Sequence, residues 1–186
     1  MAQYYYLMAQ LPSITFSSTP PFTFEEFKEL SFRYINKKDK AILSELSLEP
    51  RRDKAKAKRV FLQKWYDFEI ALRLALRELR ATKLKWDDVN ISYEEKAKVN
   101  LSYYAKTLAS QAFSMEDPLQ AELFLDKKRF EYLGQIKSGD SFSSDALFSY
   151  ALMLLILIRE DAFSKEIGRE EYKRLYSKIL DASKSS

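Results

Sequence analysis

The chain is 186 residues long, carries a net charge of +4 and contains no histidine and no cysteine. Without histidine the commonest general base near neutral pH is missing, and without cysteine there is no thiolate nucleophile and no soft metal ligand. Its three glycines, Gly134, Gly139 and Gly168, are too scattered to form a phosphate-binding loop. The composition therefore predicts a non-enzymatic protein that binds neither a cofactor nor a metal.

Helix caps and apolar spacing predict an all-α fold, a bundle of about six to seven helices. The opening segment from Tyr4 to Gln10 is expected to be short, and either extended or a single helical turn. Capping side chains mark four helix starts, which are Thr23 with Glu26, Ser92 with Glu95, Asp117 before Pro118, and Ser143. The predicted helices cover residues 24–36, 39–48, 51–84, 93–113, 118–137, 144–162 and 169–182.

The helix predicted over residues 51–84 is long and amphipathic. Its apolar positions follow a spacing of alternately four and three residues, at Phe61, Trp65, Phe68, Leu72, Ala75 and Leu79. This spacing is typical of a seam along which two helices pack. We expect the seam to pack inside this chain, because a helix of such length is stabilised mainly by burying its apolar stripe. The alternative is that the seam binds a partner protein.

Length and composition favour a single helical domain over residues 1–186, with possible sub-lobes at 1–113 and 117–183. The apolar run 146–158 spans 13 residues, whereas a membrane-spanning helix needs about 20. We therefore expect a buried helix there and no transmembrane segment. The lack of cysteine and of positive charge at the start of the chain fits a cytoplasmic protein.

Aromatic residues make up 15% of the chain, with 13 Phe and 12 Tyr. Large rings fill protein cores, so most of them are expected inside the bundle. Tyrosines that remain outside, beside apolar residues, are typical of protein interfaces.

Positive charge is concentrated between Arg51 and Lys83, a stretch that holds eleven Lys or Arg residues against four Asp or Glu. Such a stretch attracts an acidic protein surface or a phosphate backbone, although a solvated helix face is the simplest interpretation. The partner-binding candidates in it are Arg51, Arg52, Lys54, Lys58, Arg59, Arg73, Arg77 and Arg80. One hypothesis is therefore a small basic helical protein that binds nucleic acid through the helix from Arg51 to Lys64.

A second charged row consists of Glu122, Asp126 and Arg129 at helical spacing. The simplest interpretation is the polar face of an exposed helix, and the three residues join the partner-binding candidates. Catalysis by the carboxylate of Glu122 or Asp126 is a further hypothesis. It requires either group to face a concave pocket beside a cation.

Four pieces of the chain carry a resemblance, at residues 4–12, 65–73, 117–129 and 142–159. Together they resemble an uncharacterised family of bacterial proteins whose genes lie among those of V-type (A/V-type) ATPases. The pattern is also distantly similar to the funnel-shaped component of these enzymes that is named C in archaea and bacteria and d in eukaryotes. The row from Glu122 to Asp126 and the helix ending at Arg159 carry this second similarity.

That component, called the funnel subunit from here on, is all-helical, is seated on the membrane rotor ring and receives the central shaft. The resemblance implies a non-enzymatic adaptor that links the central stalk to the rotor ring of an ATPase transporting protons or sodium ions. It implies stalk and rotor subunits as partners, and a cytoplasmic location, peripherally associated with the membrane. The funnel subunit is longer and is built of three similar lobes, whereas this chain is long enough for one or two.

Overall fold

The computed structural model describes residues 2–50, 59–84 and 103–163, and every regular element within these ranges is a helix. The helices are α1 (Ala2–Gln10), α2 (Phe24–Phe32), α3 (Lys37–Ser44), α4 (Val60–Leu84), α5 (Tyr103–Phe113), α6 (Pro118–Ile136) and α7 (144–163). The predicted all-α class with one long helix is confirmed. The predicted helix over 169–182, the cap at Ser92 and the starts of the helices predicted from 51 and from 93 lie outside the described residues.

Three of the predicted helix starts are confirmed by their hydrogen bonds. Thr23 accepts the backbone N–H of Glu26 at 3.3 Å, and the Glu26 carboxylate accepts the backbone N–H of Thr23 at 2.8 Å, which completes the capping box. Asp117 accepts the backbone N–H of Leu119 at 2.9 Å. Ser143 accepts the backbone N–H of Ala146 at 3.2 Å and begins α7.

The chain between residues 24 and 48 differs from the prediction in its boundaries. Where one helix was expected to reach residue 36, α2 ends at Phe32 and α3 begins at Lys37. The cause is Asn36, whose side chain accepts the backbone N–H of Asp39 at 3.0 Å and caps α3. Asparagine favours such local bonds over continuing a helix.

The opening segment adopts the helical alternative, as the nine residues of α1. Leu7 is fully buried, and Tyr4, Met8 and Leu11 pack against the core beside it. These residues recur at intervals of three, one and three, so only a helix brings all of them to one face.

Contacts between side chains fix the directions of the longer helices. Phe68 of α4 stacks on Tyr104 at the start of α5, and Lys83 lies over Phe113 at its end, so α4 and α5 run parallel. Helix α6 runs antiparallel to α4, because Tyr132, near the end of α6, donates its hydroxyl proton to the Lys64 carbonyl near the start of α4. Helix α7 is antiparallel to α6. Its Ser149 hydroxyl donates to the Leu133 carbonyl at 3.1 Å, and Arg159, further along α7, bonds to Asp126.

The predicted seam of α4 lies in the core. Trp65 and Leu72 are completely buried, Phe61, Phe68 and Ala75 are nearly so, and Leu79 packs against the same cluster. The expectation that the seam packs within the chain is therefore confirmed. The apolar run of α7 is buried as well, and none of the helices described is long and apolar enough to cross a membrane.

Candidate functional site

Five charged side chains from three helices form a chain of ion pairs with a buried centre, called the ionic network from here on. Its members are Glu69 and Arg73 on α4, Asp126 and Arg129 on α6, and Arg159 on α7. Arg129 donates to both oxygens of Glu69, at 3.0 and 3.1 Å, and to Asp126 at 2.9 Å. Arg73 Nε donates to Glu69 at 2.8 Å, while Arg159 donates to Asp126 from Nε at 3.0 Å and from Nη2.

Two ion pairs of the ionic network form between residues of the same helix. Glu69 with Arg73 and Asp126 with Arg129 lie four and three residues apart, so each pair shares one helix face. The contacts between helices then join the two pairs. The side chains of Asp126, Glu69 and Arg129 are 0, 1 and 5% exposed. Desolvation of charges this deep is costly, and each carboxylate offsets it by accepting bonds from two guanidinium groups.

The edge of the ionic network is partly exposed. Arg73 is 40% exposed and also reaches Glu49 at 3.6 Å, while Glu122 is 41% exposed and lies 3.7 Å from Arg129. Burial lowers the pKa of the Arg159 guanidinium, and the carboxylates of Glu122 and Glu69 partly oppose that shift. An arginine nevertheless keeps its charge in proteins.

The charged row of α6 is therefore not the exposed polar face that was expected. Asp126 and Arg129 point into the protein, where they hold α4 and α7, and Glu122 alone of the three is substantially exposed. The physical reason is that Glu69 and Arg159 lie opposite the row and supply the opposite charges. Asp126 and Arg129 are consequently closed to a partner, and the carboxylate of Asp126 faces no open pocket.

Arg59, the only member of the basic run 51–59 within the described residues, is used internally. It donates to Ser144 at 2.5 Å and to the fully buried carboxylate of Asp39, and its guanidinium lies 5.3 Å from the centre of the Phe148 ring. The Tyr4 hydroxyl also donates to Asp39. Arg51, Arg52, Lys54 and Lys58 lie outside the described residues. The nucleic-acid hypothesis therefore loses Arg59 as a free cation.

Arg77 and Arg80 are exposed on α4, and Arg80 lines a groove of about 270 Å³. The apolar floor of this groove contains Leu76, Ala112, Phe113 and Leu125. One wall carries Arg80 and Lys83 from α4, and the other carries Glu116 and Glu122. We call it the basic groove, after its α4 wall. Two partner-binding candidates that lie far apart in the sequence, Arg80 of the basic stretch and Glu122 of the α6 row, therefore line the same groove.

Three exposed aromatic residues form a surface cluster, the aromatic patch. Tyr5, Tyr6 and Phe142 are 52, 60 and 41% exposed. The ring of Tyr5 lies 4.6 Å from that of Phe142 and 5.9 Å from that of Tyr6, measured between centroids. Sequence reasoning did not select these residues. The signal was the run of three tyrosines, of which a helix can turn only one toward the core.

A second groove, also of about 270 Å³, lies between the segment after α1 and α7. Met8, Leu11, Ile14 and Met153 line it, and Lys137 stands among them as a cation. The Tyr150 hydroxyl closes one side by donating to the Pro12 carbonyl at 3.0 Å.

Within residues 2–50, 59–84 and 103–163, no three acidic side chains are grouped as a metal site would need. Glu122 fulfils part of the requirement for carboxylate catalysis, since it lines a groove with Arg80 and Lys83. Such opposite walls also suit the binding of charged groups.

Comparison of the chain with models of known families, with curated proteins and with solved structures finds no match.

Proposed function

We propose that this chain is a non-enzymatic adaptor of a V-type ATPase, linking the central stalk to the membrane rotor ring in the manner of the funnel subunit. The observation that carries the proposal is where the four resembling pieces meet. All five members of the ionic network come from three of these pieces, residues 65–73, 117–129 and 142–159. The fourth piece, residues 4–12, supplies Tyr4, whose hydroxyl donates to the buried carboxylate of Asp39. The resemblance thus lies in the residues that hold the helices together.

The ionic network suits a part that transmits torque. Bidentate arginine–carboxylate bonds fix both distance and angle between helices. Because α4, α6 and α7 are joined by such bonds through buried groups, one helix cannot slide along another without breaking several of them. A rotor adaptor needs this stiffness, together with a broad contact to its neighbours.

The aromatic patch supports the proposal from the surface. Interfaces between proteins are enriched in Tyr, Phe and Met relative to the rest of the surface. Tyr5, Tyr6 and Phe142 contribute little to this chain's own core, since each is more than two-fifths exposed. A partner that covers them would gain their apolar area.

Co-purification from native membranes tests the proposal. A tagged chain is expected to elute with stalk and rotor subunits of the ATPase after mild detergent extraction. The variant Tyr5→Ser/Tyr6→Ser should elute with less of them. Tyr103→Ser is the matched control, because Tyr103 is 86% exposed but lies outside the patch. Recovery of an intact, ATP-hydrolysing enzyme without this chain would overturn the assignment.

A further inference from the structure

We propose that the basic groove is a docking site for an acidic amphipathic helix of a protein partner. An apolar side chain of that helix would enter the groove, and its carboxylates would meet Arg80 and Lys83. The proposal deepens the proposed function, and it rests on that function only for the identity of the partner.

The size of the groove argues for a side chain as its occupant. Its volume is about 270 Å³, which is below the range of about 300–1,000 Å³ usual for sites that hold small molecules or cofactors. Leu76, Ala112 and Leu125 form a nearly fully buried floor. A floor of this kind accepts a leucine or phenylalanine from a helix laid along it.

The charges on α4 argue for an acidic partner. Arg77, Arg80 and Lys83 are exposed, and none of them forms an ion pair with a carboxylate of the described residues. The ammonium group of Lys83 lies 5.2 Å from the centre of the Phe113 ring. Arg80 and Lys83 line the groove three residues apart, which is about 4.5 Å along the axis of α4. Carboxylates one turn apart on a partner helix would match that spacing.

The opposite wall argues against nucleic acid. Glu116 and Glu122 face the groove from the α6 side, where they would repel a phosphate backbone. A protein helix accommodates both walls, because it can present acidic residues toward α4 and polar or basic residues toward α6. The two walls would thereby set how the helix is rotated about its axis.

The groove is tested with a synthetic probe, a helical peptide with a leucine stripe that has glutamates along one side and glutamines along the other. Its binding to the full chain is followed by fluorescence polarisation. The variant Arg80→Glu/Lys83→Glu should bind it about tenfold more weakly or worse, a loss that corresponds to about 1.4 kcal/mol. The control is Lys37→Glu/Lys38→Glu, an equal charge change at exposed positions of α3, which should bind like the unmodified chain. Equal binding by both variants would overturn the proposal.

Two further measurements exclude other occupants. A peptide with lysines in place of the glutamates should bind at least tenfold more weakly, and equal affinity would show that charge plays no part. A single-stranded oligonucleotide should not displace the acidic peptide at about 50 mM salt, where nucleic-acid binding is strong. Displacement there, absent in the Arg80→Glu/Lys83→Glu variant, would make nucleic acid the occupant and the proposal wrong.

Native membranes then separate this inference from the proposed function. If the Arg80→Glu/Lys83→Glu and Lys37→Glu/Lys38→Glu variants both still co-purify with the ATPase, the groove is not the docking site and the proposed function stands. If the unmodified chain does not co-purify, but the peptide distinguishes the two variants, the proposed function fails and the groove stands. If only the Arg80→Glu/Lys83→Glu variant fails to co-purify with the ATPase, the result supports both the proposed function and docking in the basic groove.

Discussion

Arg129 of α6 binds Glu69 of α4 through two parallel hydrogen bonds, from Nε to Oε2 at 3.0 Å and from Nη2 to Oε1 at 3.1 Å. Both side chains are at least 95% buried. A buried pair of this kind adds little net stability, because desolvation offsets the attraction, yet loss of one partner leaves an uncompensated buried charge. The pair therefore specifies how α4 lies against α6 more than it stabilises the fold.

Replacing the charged group of Glu69 should destabilise the protein strongly. In Glu69→Gln the shape is kept, but an amide N–H₂ now faces guanidinium donors and the ionic network loses one of its two buried carboxylates. We expect the free energy of unfolding to fall by about 3–5 kcal/mol, the usual effect of breaking a buried pair. Urea unfolding followed by circular dichroism measures it.

Glu49→Gln is the matched control, because Glu49 is 77% exposed and lies 3.6 Å from Arg73 at the edge of the same group of charges. Exposed pairs contribute about 0.2–1 kcal/mol. Similar unfolding midpoints for the two variants would mean that Glu69 is not held in the buried pair described above.

Trp65 provides a test of the core. Its side chain is fully buried on α4, so Trp65→Ala should lower the free energy of unfolding by about 3–5 kcal/mol. Trp65→Phe should cost less, because it leaves a smaller cavity and the indole N–H has no hydrogen-bond partner to lose. An unchanged urea midpoint in Trp65→Ala would show that the α4 seam is an interface and not a core.

The sequence predicted those features of the fold that depend on neighbouring residues. The α4 seam follows from apolar spacing along one helix, and the caps at Thr23, Asp117 and Ser143 follow from the hydrogen bonds of one turn. The break between the helices predicted over 24–36 and 39–48 was expected, but its boundaries were not, since α2 ends at Phe32 and α3 begins at Lys37. Asparagine is only one of several residues that can cap a helix, so Asn36 by itself does not fix where one helix ends and the next begins.

The bonds that the ionic network makes between helices could not be predicted, because they join distant parts of the chain. Helical spacing places Asp126 and Arg129 on one face, but it does not tell whether that face meets water or another helix. Glu69 lies 60 residues from Arg129, and Arg159 lies 33 from Asp126. Charged residues are mostly exposed, so the row on α6 was assigned to the surface.

The capping box of α2 should make the free energy of unfolding depend on pH in the acidic range. The backbone N–H and hydroxyl of Thr23 lower the pKa of the Glu26 carboxyl. A pKa lowered by folding stabilises the folded state above the unfolded pKa, and the effect is lost as the pH falls through the folded pKa. Thr23→Ala should cost about 0.5–2 kcal/mol at pH 7, and the difference from the unmodified chain should shrink on acidification.

Unfolding in urea at several pH values between 7 and 3 measures this difference. The control is Thr19→Ala, an exposed position in the segment before α2, which should remain within about 0.5 kcal/mol of the unmodified chain. Because alanine keeps the backbone N–H at this position, a constant difference for Thr23→Ala across this range would show that the Thr23 hydroxyl does not contribute to the lowered pKa of Glu26.

Tyr150 stacks on Phe27 and donates its hydroxyl proton to the Pro12 carbonyl, and it should make stability depend on alkaline pH. Burial raises the pKa of Tyr150 from 10.0 to about 12. A raised pKa gives full stability below the unfolded value, and that stability is lost as the pH rises from about 10 toward 12, because the unfolded chain releases its proton first.

Tyr150→Phe removes this titration along with one hydrogen bond. At pH 8 the variant should be less stable than the unmodified chain by about 0.5–1.5 kcal/mol, the usual contribution of such a bond. Between about pH 10 and 11 its stability should fall less steeply, so the two curves approach each other. Tyr4 is present in both proteins and does not affect the comparison. Urea unfolding at half-unit pH intervals measures the curves, and parallel curves would contradict the raised pKa of Tyr150.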